Sequence, residues 1–311
     1  MPAVVNAALP VFALILAGWL SGKRQWLSLA SADALNRFVV YLSLPALLAL
    51  AMARTEPQRL FHGGFVAAFA GGIFVTAALA FWLAGPRKRR LADLSIESLA
   101  ASYANAGFMG IPLCLMLFGD ESLTPSVLTV LLTACVLFGV SLALIELDTH
   151  RGSGFLGAAR KTGVALIRNP LVAAPLIGIA WSISGLALPV PLENFLDLLG
   201  SAASPCALVC IGLFLAQPRT GGDTASVVRM VVLKLLIQPA VTALLAFGVF
   251  DIPSVWAWCA VIMAALPIGT GPFMLAQLYQ RNASAASRAI LISTVISVIT
   301  VPALILLMEH L

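Results

Sequence analysis

YANAGFMGIPLCLMLFG, residues 103–119, and ALPIGTGPFMLAQLYQRN, residues 265–282, are the two stretches whose reading decides the fold. Both are apolar enough to enter a membrane, and both are interrupted. Pro112 and Pro272 lack an amide hydrogen and clash with the preceding turn, while Gly107, Gly110, Gly269 and Gly271 permit an unwound backbone, and Pro267 adds a second break point to the later stretch. Unwinding in lipid leaves amides and carbonyls unpaired, so it is tolerated only where protein, water or a ligand meets them. Each break also places a half-helix amino terminus near the membrane midplane, where free amides and a partial positive charge suit a carboxylate. One such break is more often a packing kink; two at equivalent places point to a substrate site.

Composition sets the surroundings of these breaks. Of 311 residues, 61% are apolar or aromatic and 10% charged, and the mean hydropathy is +1.02. A soluble domain of this length needs far more charge to cover its surface, so the excess apolar surface faces lipid. A helix needs roughly 20 residues to cross about 30 Å of hydrocarbon. Ten runs qualify, at 4–20, 34–52, 63–84, 98–117, 124–146, 163–182, 194–215, 227–248, 254–277 and 287–308. The first lacks the basic leader of a cleaved signal peptide, since Lys23 and Arg24 follow the apolar run, and it reads as the first span.

The formal net charge of +5 would suggest nucleic acid in a soluble protein, but here it sits in short loops. The loops after odd-numbered spans carry Lys23 and Arg24, Arg87 to Arg90, Arg151, Arg160, Lys161 and Arg168, Arg219 and Arg229, and Arg281 and Arg288. Apart from Arg54 and Arg59, the alternate loops lack basic residues and hold Asp120, Glu121, Glu193, Asp197 and Asp251. The positive-inside rule therefore places both termini outside the cytoplasm, consistent with an even number of spans.

Sliding the chain by 160 residues superimposes Pro10 on Pro170, Pro45 on Pro205, Pro112 on Pro272 and Gly18 on Gly178. Each half then has five spans, a proline in the second and a break in the fourth. An odd number of spans per copy makes the second copy enter from the opposite face, which gives inverted repeats suited to alternating access. The expected organisation is a first repeat at 1–146, a polar cytoplasmic linker at 147–162 and a second repeat at 163–311.

Asn105 and Thr270 are the polar side chains at the two breaks and the leading candidates for substrate contact, although a membrane-embedded amide can also simply join helices. Tyr103 and Gln277 are weaker candidates. Lys234, in VVLKLLIQPAV, is the basic residue set deepest inside a span, with Gln238 a turn further on. Burying an ammonium costs at least about 2.5–3.5 kcal/mol, so Lys234 needs a partner: the anion, a contact that changes between states, or the carbonyls of a broken helix. Snorkelling to the cytoplasmic end is the plainer alternative. No carboxylate lies at mid-span. Five cysteines and three histidines form no ligand cluster, so no metal or other cofactor is expected, and no nucleotide loop, serine elbow or acid–base set suggests an enzyme.

Asn105–Pro112, NAGFMGIP, and Ala265–Phe273, ALPIGTGPF, followed by AQLY, resemble segments of the auxin efflux carrier family, as do YLSLPALL at 41–48 and KLLIQP at 234–239. The family takes in plant PIN carriers and bacterial permeases for malonate and other carboxylates. The resemblance implies an all-α integral membrane protein: ten transmembrane helices in two inverted five-helix repeats, with broken crossover helices four and nine. It implies a scaffold of the first, second, sixth and seventh helices, a transport bundle of the others, and homodimers through the scaffold. Asn105 falls on the family's crossover asparagine, Pro112 and Pro272 on its crossover prolines, and Lys234 on its eighth-helix lysine. The chain departs from the plant carriers at Ile268, in lacking a third-helix acid, and in lacking their long cytoplasmic loop.

The expected function is an alternating-access secondary transporter of a small organic anion, a carboxylate such as malonate, in the bacterial cytoplasmic (inner) membrane. The expected substrate-binding set is Asn105, Gly107, Gly110, Pro112, Lys234, Gln238, Pro267, Gly269, Thr270, Gly271 and Pro272. A coupled proton or sodium ion and membrane lipids are the other partners. The alternative is a sodium- or proton-coupled carrier of a neutral or bulky amphipathic substrate, with a channel further behind.

Overall fold

The computed structural model describes residues 9–55, 62–85, 90–149, 163–164, 168–216 and 223–310. Most of the expected linker, its basic residues Arg151, Arg160 and Lys161, the loop residues Arg59, Arg87, Lys88, Arg89 and Arg219, and both extreme termini lie outside them.

The described residues are helical, with no strand among them beyond one isolated antiparallel bridge between Ala104 and Ile268. In chain order the helices are α1 (Leu9–Lys23), α2 (Leu29–Phe38), α3 (Leu44–Arg54), α4 (Gly63–Leu83), α5 (Leu91–Ser102), α6 (Ile111–Phe118), α7 (Leu123–Leu131) and α8 (Phe138–Thr149). They continue with α9 (Pro170–Ser184), α10 (Val190–Ser201), α11 (Ala203–Leu215), α12 (Thr224–Val232), α13 (Gln238–Ala243), α14 (Ser254–Ala265), α15 (Gly271–Leu278) and α16 (Ser284–His310). Joined end to end where the chain stays helical, they give six stretches long and apolar enough to cross a membrane: Ala30–Arg54, Gly63–Leu83, Ala106–Asp148, Val190–Leu215, Thr224–Val249 and Ser284–His310. Shorter apolar helices are α1, α9 and α14.

The surface is apolar and part of the interior is polar, as a lipid-facing protein requires. Phe74, Trp82, Leu198 and Ile299 are each more than 70% exposed, whereas Lys234, Gln238 and Ser293 are wholly buried. The 43-residue stretch Ala106–Asp148 would run about 65 Å as one rod, twice the hydrocarbon thickness. It turns at Gly119, whose φ of 64° favours glycine, and α6 packs back against α7.

Proline explains the local irregularities. Pro45, Pro112 and Pro239 each stand second in a helix that follows a five-residue π-helical turn: Val39–Ser43, Ala106–Gly110 and Leu233–Ile237. The residue four before each proline, Tyr41, Phe108 or Leu235, is the middle of that turn. Its carbonyl is the one the proline ring cannot approach, so the ladder widens there instead of breaking. Pro205 behaves differently from Pro45: the chain turns at Ala202, and Pro205 sits in the first turn of α11 rather than in mid-helix.

Two helix pairs make the most extensive contacts, α3 with α9 and α1 with α11. Both depend on a glycine. A Cβ on Gly18 would come within 2.1 Å of the Val209 carbonyl oxygen, and one on Gly178 within 2.3 Å of that of Ala49. Since the obstacles are backbone atoms, the helices would have to separate. Gly178→Ala is expected to destabilise the protein by about 1–3 kcal/mol through overpacking, read as a lower melting temperature in detergent. An unchanged melting curve would mean that this contact is looser than described.

Candidate functional site

The two interruptions recognised in the sequence lie against each other. Helix α5 ends at Ser102 and the following turn begins at Ala106; α14 ends at Ala265 and α15 begins at Gly271. By rise alone, the 12 residues of α5 or α14 span about 18 Å and the 8 of α6 or α15 about 12 Å, so neither piece crosses hydrocarbon by itself. Pro272 occupies the first turn of α15, where the missing amide costs no helical bond, whereas Pro112 follows the π-helical turn Ala106–Gly110, which widens to accommodate its ring.

Most backbone groups freed by the breaks find named partners. Asn105 N–H donates to the Pro267 carbonyl at 2.9 Å, and Gly269 N–H donates to the Tyr103 carbonyl at 3.0 Å. The Asn105 carbonyl accepts from Met109 and Gly110, each at 3.1 Å. Ile268 N–H donates to Ser293 Oγ of α16 at 3.1 Å. The last carbonyls of the two leading half-helices are capped from a single neighbour: Gln238 Nε2 donates to the Ser102 carbonyl at 3.2 Å, and Lys234 Nζ donates to the Ala264 carbonyl. This answers the demand that buried backbone polar groups be satisfied.

Tyr103 packs over the second break. Its ring lies 3.0 Å from where a Gly269 Cβ would stand and 2.6 Å from a Gly271 Cβ, which is why the segment around Thr270 has glycine on both sides. The ring also meets Phe138 edge-on at 6.5 Å between centroids.

Asn105 and Thr270 face a cavity of about 200 Å3. Single faces of four further segments complete it. Asp33 and Asn36 come from α2; Ile211, Phe214 and Leu215 from α11; Phe273, Met274 and Gln277 from α15; Ser287, Ile290, Leu291 and Thr294 from α16. A smaller cavity of about 60 Å3, bordered by Tyr103, Gly107 and Gly269, shares Asn105 and Thr270 with the first. The larger cavity thus offers amides and hydroxyls beside apolar side chains. Among the described residues lining it, Asp33 is the only charged one, and none is basic.

Of the expected site residues, Asn105, Thr270, Gly107 and Gly269 border these cavities. Pro267 accepts the bond from Asn105, Gly110 packs against Met263 and Leu266, and Gly271 packs against Tyr103. Pro112 and Pro272 are buried at helix starts. Lys234 and Gln238 are not brought to the cavity wall; they reach the helix ends behind it. Gln277, a weaker candidate, lies on the wall.

Asp33, Asn36, Ser287 and Thr294 line the cavity without having been singled out from sequence. Their spacing carried a signal: Asp33 and Asn36 are three apart, and Ser287, Ile290, Leu291 and Thr294 fall at i, i+3, i+4 and i+7, one face of a helix. Spacing defines a face but not what that face meets.

Ion pairs tie the broken pieces to their neighbours. Glu97 of α5 accepts from Arg229 Nε of α12 at 2.8 Å, and Asp93, also of α5, accepts from Arg281 Nε at 2.9 Å. Tyr279 donates its hydroxyl to Glu146 of α8. No group of three or more histidine, cysteine or acidic side chains arranged for a metal occurs among the described residues.

A family model described as Membrane transport protein matches residues 3–305. A protein of Rhizobium meliloti (strain 1021) named "Putative malonate transporter" is 31% identical, the match covering 99% of this chain and 97% of that one. The "Uncharacterized transporter YfdV" of Escherichia coli (strain K12) is 23% identical over 96% and 95% of the two chains. "Auxin efflux carrier component 8" of Arabidopsis thaliana is 24% identical over 98% and 97%. These relatives are transporters by name, and none is named as an enzyme. The chain belongs to the membrane transport protein family, which includes the auxin efflux carriers, and is a multi-pass membrane transporter.

Proposed function

We propose that the protein is an alternating-access secondary transporter of a small organic anion, with a carboxylate such as malonate bound where the two helix breaks meet. The observation that carries this reading is that Asn105 and Thr270, one from each break, face the same cavity. Their amide and hydroxyl donors, beside the turn Ala106–Gly110 and the amino-terminal turn of α15, suit one carboxylate.

The architecture behind this reading is ten spans in two inverted repeats, with α5–α6 and α14–α15 as crossing broken helices. Its support is the packing of the glycines. Gly18 meets Val209 and Gly178 meets Ala49, and each residue of one pair lies 160 positions from its counterpart in the other. A pseudo-twofold relation between halves requires such reciprocity. On this reading α1, α2–α3, α9 and α10–α11 form a scaffold, and the exposed Val190, Phe195 and Leu198 of α10 are its dimer-forming face.

The positive-inside rule assigns a side to the cavity. Asp33, Leu215, Gln277 and Ser287 adjoin connections that carry Lys23 and Arg24, Arg219, and Arg281, so the opening faces the cytoplasm of a bacterial inner membrane. Toward the other face, Thr55 Oγ1 lies 3.0 Å from Thr124 Oγ1, Ser182 donates to the Thr55 carbonyl at 2.5 Å, and Arg54 pairs with Glu193 at 2.7 Å. Of these, only the Thr55–Thr124 contact joins the scaffold to the transport bundle; on this reading it closes the outer side, and transport requires it to part.

Electrogenic transport in proteoliposomes on a solid-supported membrane tests the proposal, with malonate, malate, lactate, indole acetate and neutral analogues applied at fixed pH and sodium. A saturable current for one anion is expected. Asn105→Ala should raise its half-saturating concentration about tenfold or more, the loss of one buried hydrogen bond, with the backbone bond from residue 105 retained. Equal half-saturation in the variant would remove Asn105 from the site. The apolar part of the wall, Phe214, Phe273 and Met274, favours a second reading: a sodium- or proton-coupled carrier of a neutral or amphipathic substrate. Current for neutral compounds only in a sodium or proton gradient would establish it.

A further inference from the structure

We propose that Asp33 sets the charge state in which the substrate is taken, so that a short dicarboxylic acid is carried as its singly protonated monoanion. This deepens the carrier reading above and rests on it.

The argument starts from the composition of the cavity wall. Asn105 and Thr270 present neutral donors on one side, sufficient for one carboxylate, and Asp33 with Asn36 stands on α2. Among the described residues the wall has no cation, and the Asp33 carboxylate has no ion-pair partner. The Asp33 side chain is exposed, so water screens its charge in part, but a dianion would still place a second negative charge in a partly apolar cavity with an acid and no cation on the wall. Like charges sharing such a space resolve the conflict by taking up a proton. Once one end of the diacid is protonated, its O–H becomes a donor and the Asp33 carboxylate an acceptor, the pairing that makes a short charge-assisted hydrogen bond. No bond other than that to the proton is made or broken.

The titratable groups around Asp33 come from three helices. Arg37 lies one turn along α2 and is exposed; Cys206 and Cys210 lie on α11, which packs against α2; Arg288 follows the cavity-lining Ser287 on α16. Helix α15 contributes no charged side chain to the wall. Neither Arg37 nor Arg288 lines the cavity, so neither neutralises a second charge inside it.

The test uses the full chain in proteoliposomes at equal pH on both sides, comparing malonate with its monomethyl ester, which retains a single charge. For the unaltered protein, malonate's apparent affinity is expected to fall about tenfold per pH unit above its second ionisation, while the ester's stays level. In Asp33→Asn the fall for malonate should shrink to below about threefold per unit, and Asp33→Glu should restore it. Parallel profiles for malonate and ester in the unaltered chain overturn the inference, even if Asp33→Asn does not insert. The same malonate profile in Asp33→Asn and the unaltered chain also overturns it; in both cases the carrier reading stands. Absence of saturable uptake of either compound, with normal incorporation, overturns the inference together with the malonate-type reading.

Discussion

Substituting methionine for Lys234 is expected to lower substrate-driven flux about 5- to 150-fold, the factor equivalent to the roughly 1–3 kcal/mol cost of one buried carbonyl left without a donor. Lys234 is wholly buried and donates to the carbonyl of Ala264, in the last turn of α14. Methionine replaces most of its volume but not its donor. The Ala264 carbonyl then lies beside the break with no partner from α12–α13, and the path that presents Thr270 to the cavity loses its anchor. Flux at matched incorporation is the measurement. Lys234→Gln, which keeps a shorter donor, should recover part of the loss. Because Lys234 stands behind the wall and not on it, the loss should appear in the maximal rate for every transported compound. A rise confined to the half-saturating concentration of anions would instead assign the amine to the substrate, and undiminished flux would show that the cap is dispensable.

Gly271→Val is expected to reduce flux at least about tenfold, because even a Cβ at this position would stand 2.6 Å from the Tyr103 ring. The ring is hindered from swinging aside: Phe138 packs against it, and the Tyr103 backbone carbonyl is held by Gly269. Valine therefore pushes the two breaks apart, and with them Asn105 and Thr270. Trimming the obstacle should reverse the effect. Tyr103→Leu combined with Gly271→Val should be more active than Gly271→Val alone, a coupling of about 0.5–3 kcal/mol between touching residues. Additive losses in the double variant would place the damage outside the Tyr103 contact.

Both variants act through one arrangement. The neighbouring helix segment Thr224–Val249 reaches both breaks, Gln238 holding the end of α5 and Lys234 the end of α14. The cavity wall is therefore only as well placed as these caps. Within that segment the π-helical turn Leu233–Ile237 carries Lys234 and leads directly into Gln238 and Pro239. A proline needed for its effect on helix geometry thus lies beside the two side chains that do the capping.

What the sequence determined by itself was local and covalent. Apolar run length marked the six stretches long enough to cross a membrane, and proline and glycine marked both breaks, because a missing amide or a missing Cβ acts on its own turn whatever surrounds it. Asn105 and Thr270 were legible for the same reason: they are the polar residues at the break points themselves. What only the tertiary structure decided was direction. Asp33, Asn36, Ser287 and Thr294 are unremarkable on their own helices and acquire a role because α2 and α16 turn those faces toward the breaks. Lys234 and Gln238 were visible as polar residues in lipid, yet whether they meet substrate or backbone depends on which face of their helix lies against Ser102 and Ala264. Side-chain periodicity gives each helix its faces; the packing of one helix on another chooses what those faces touch.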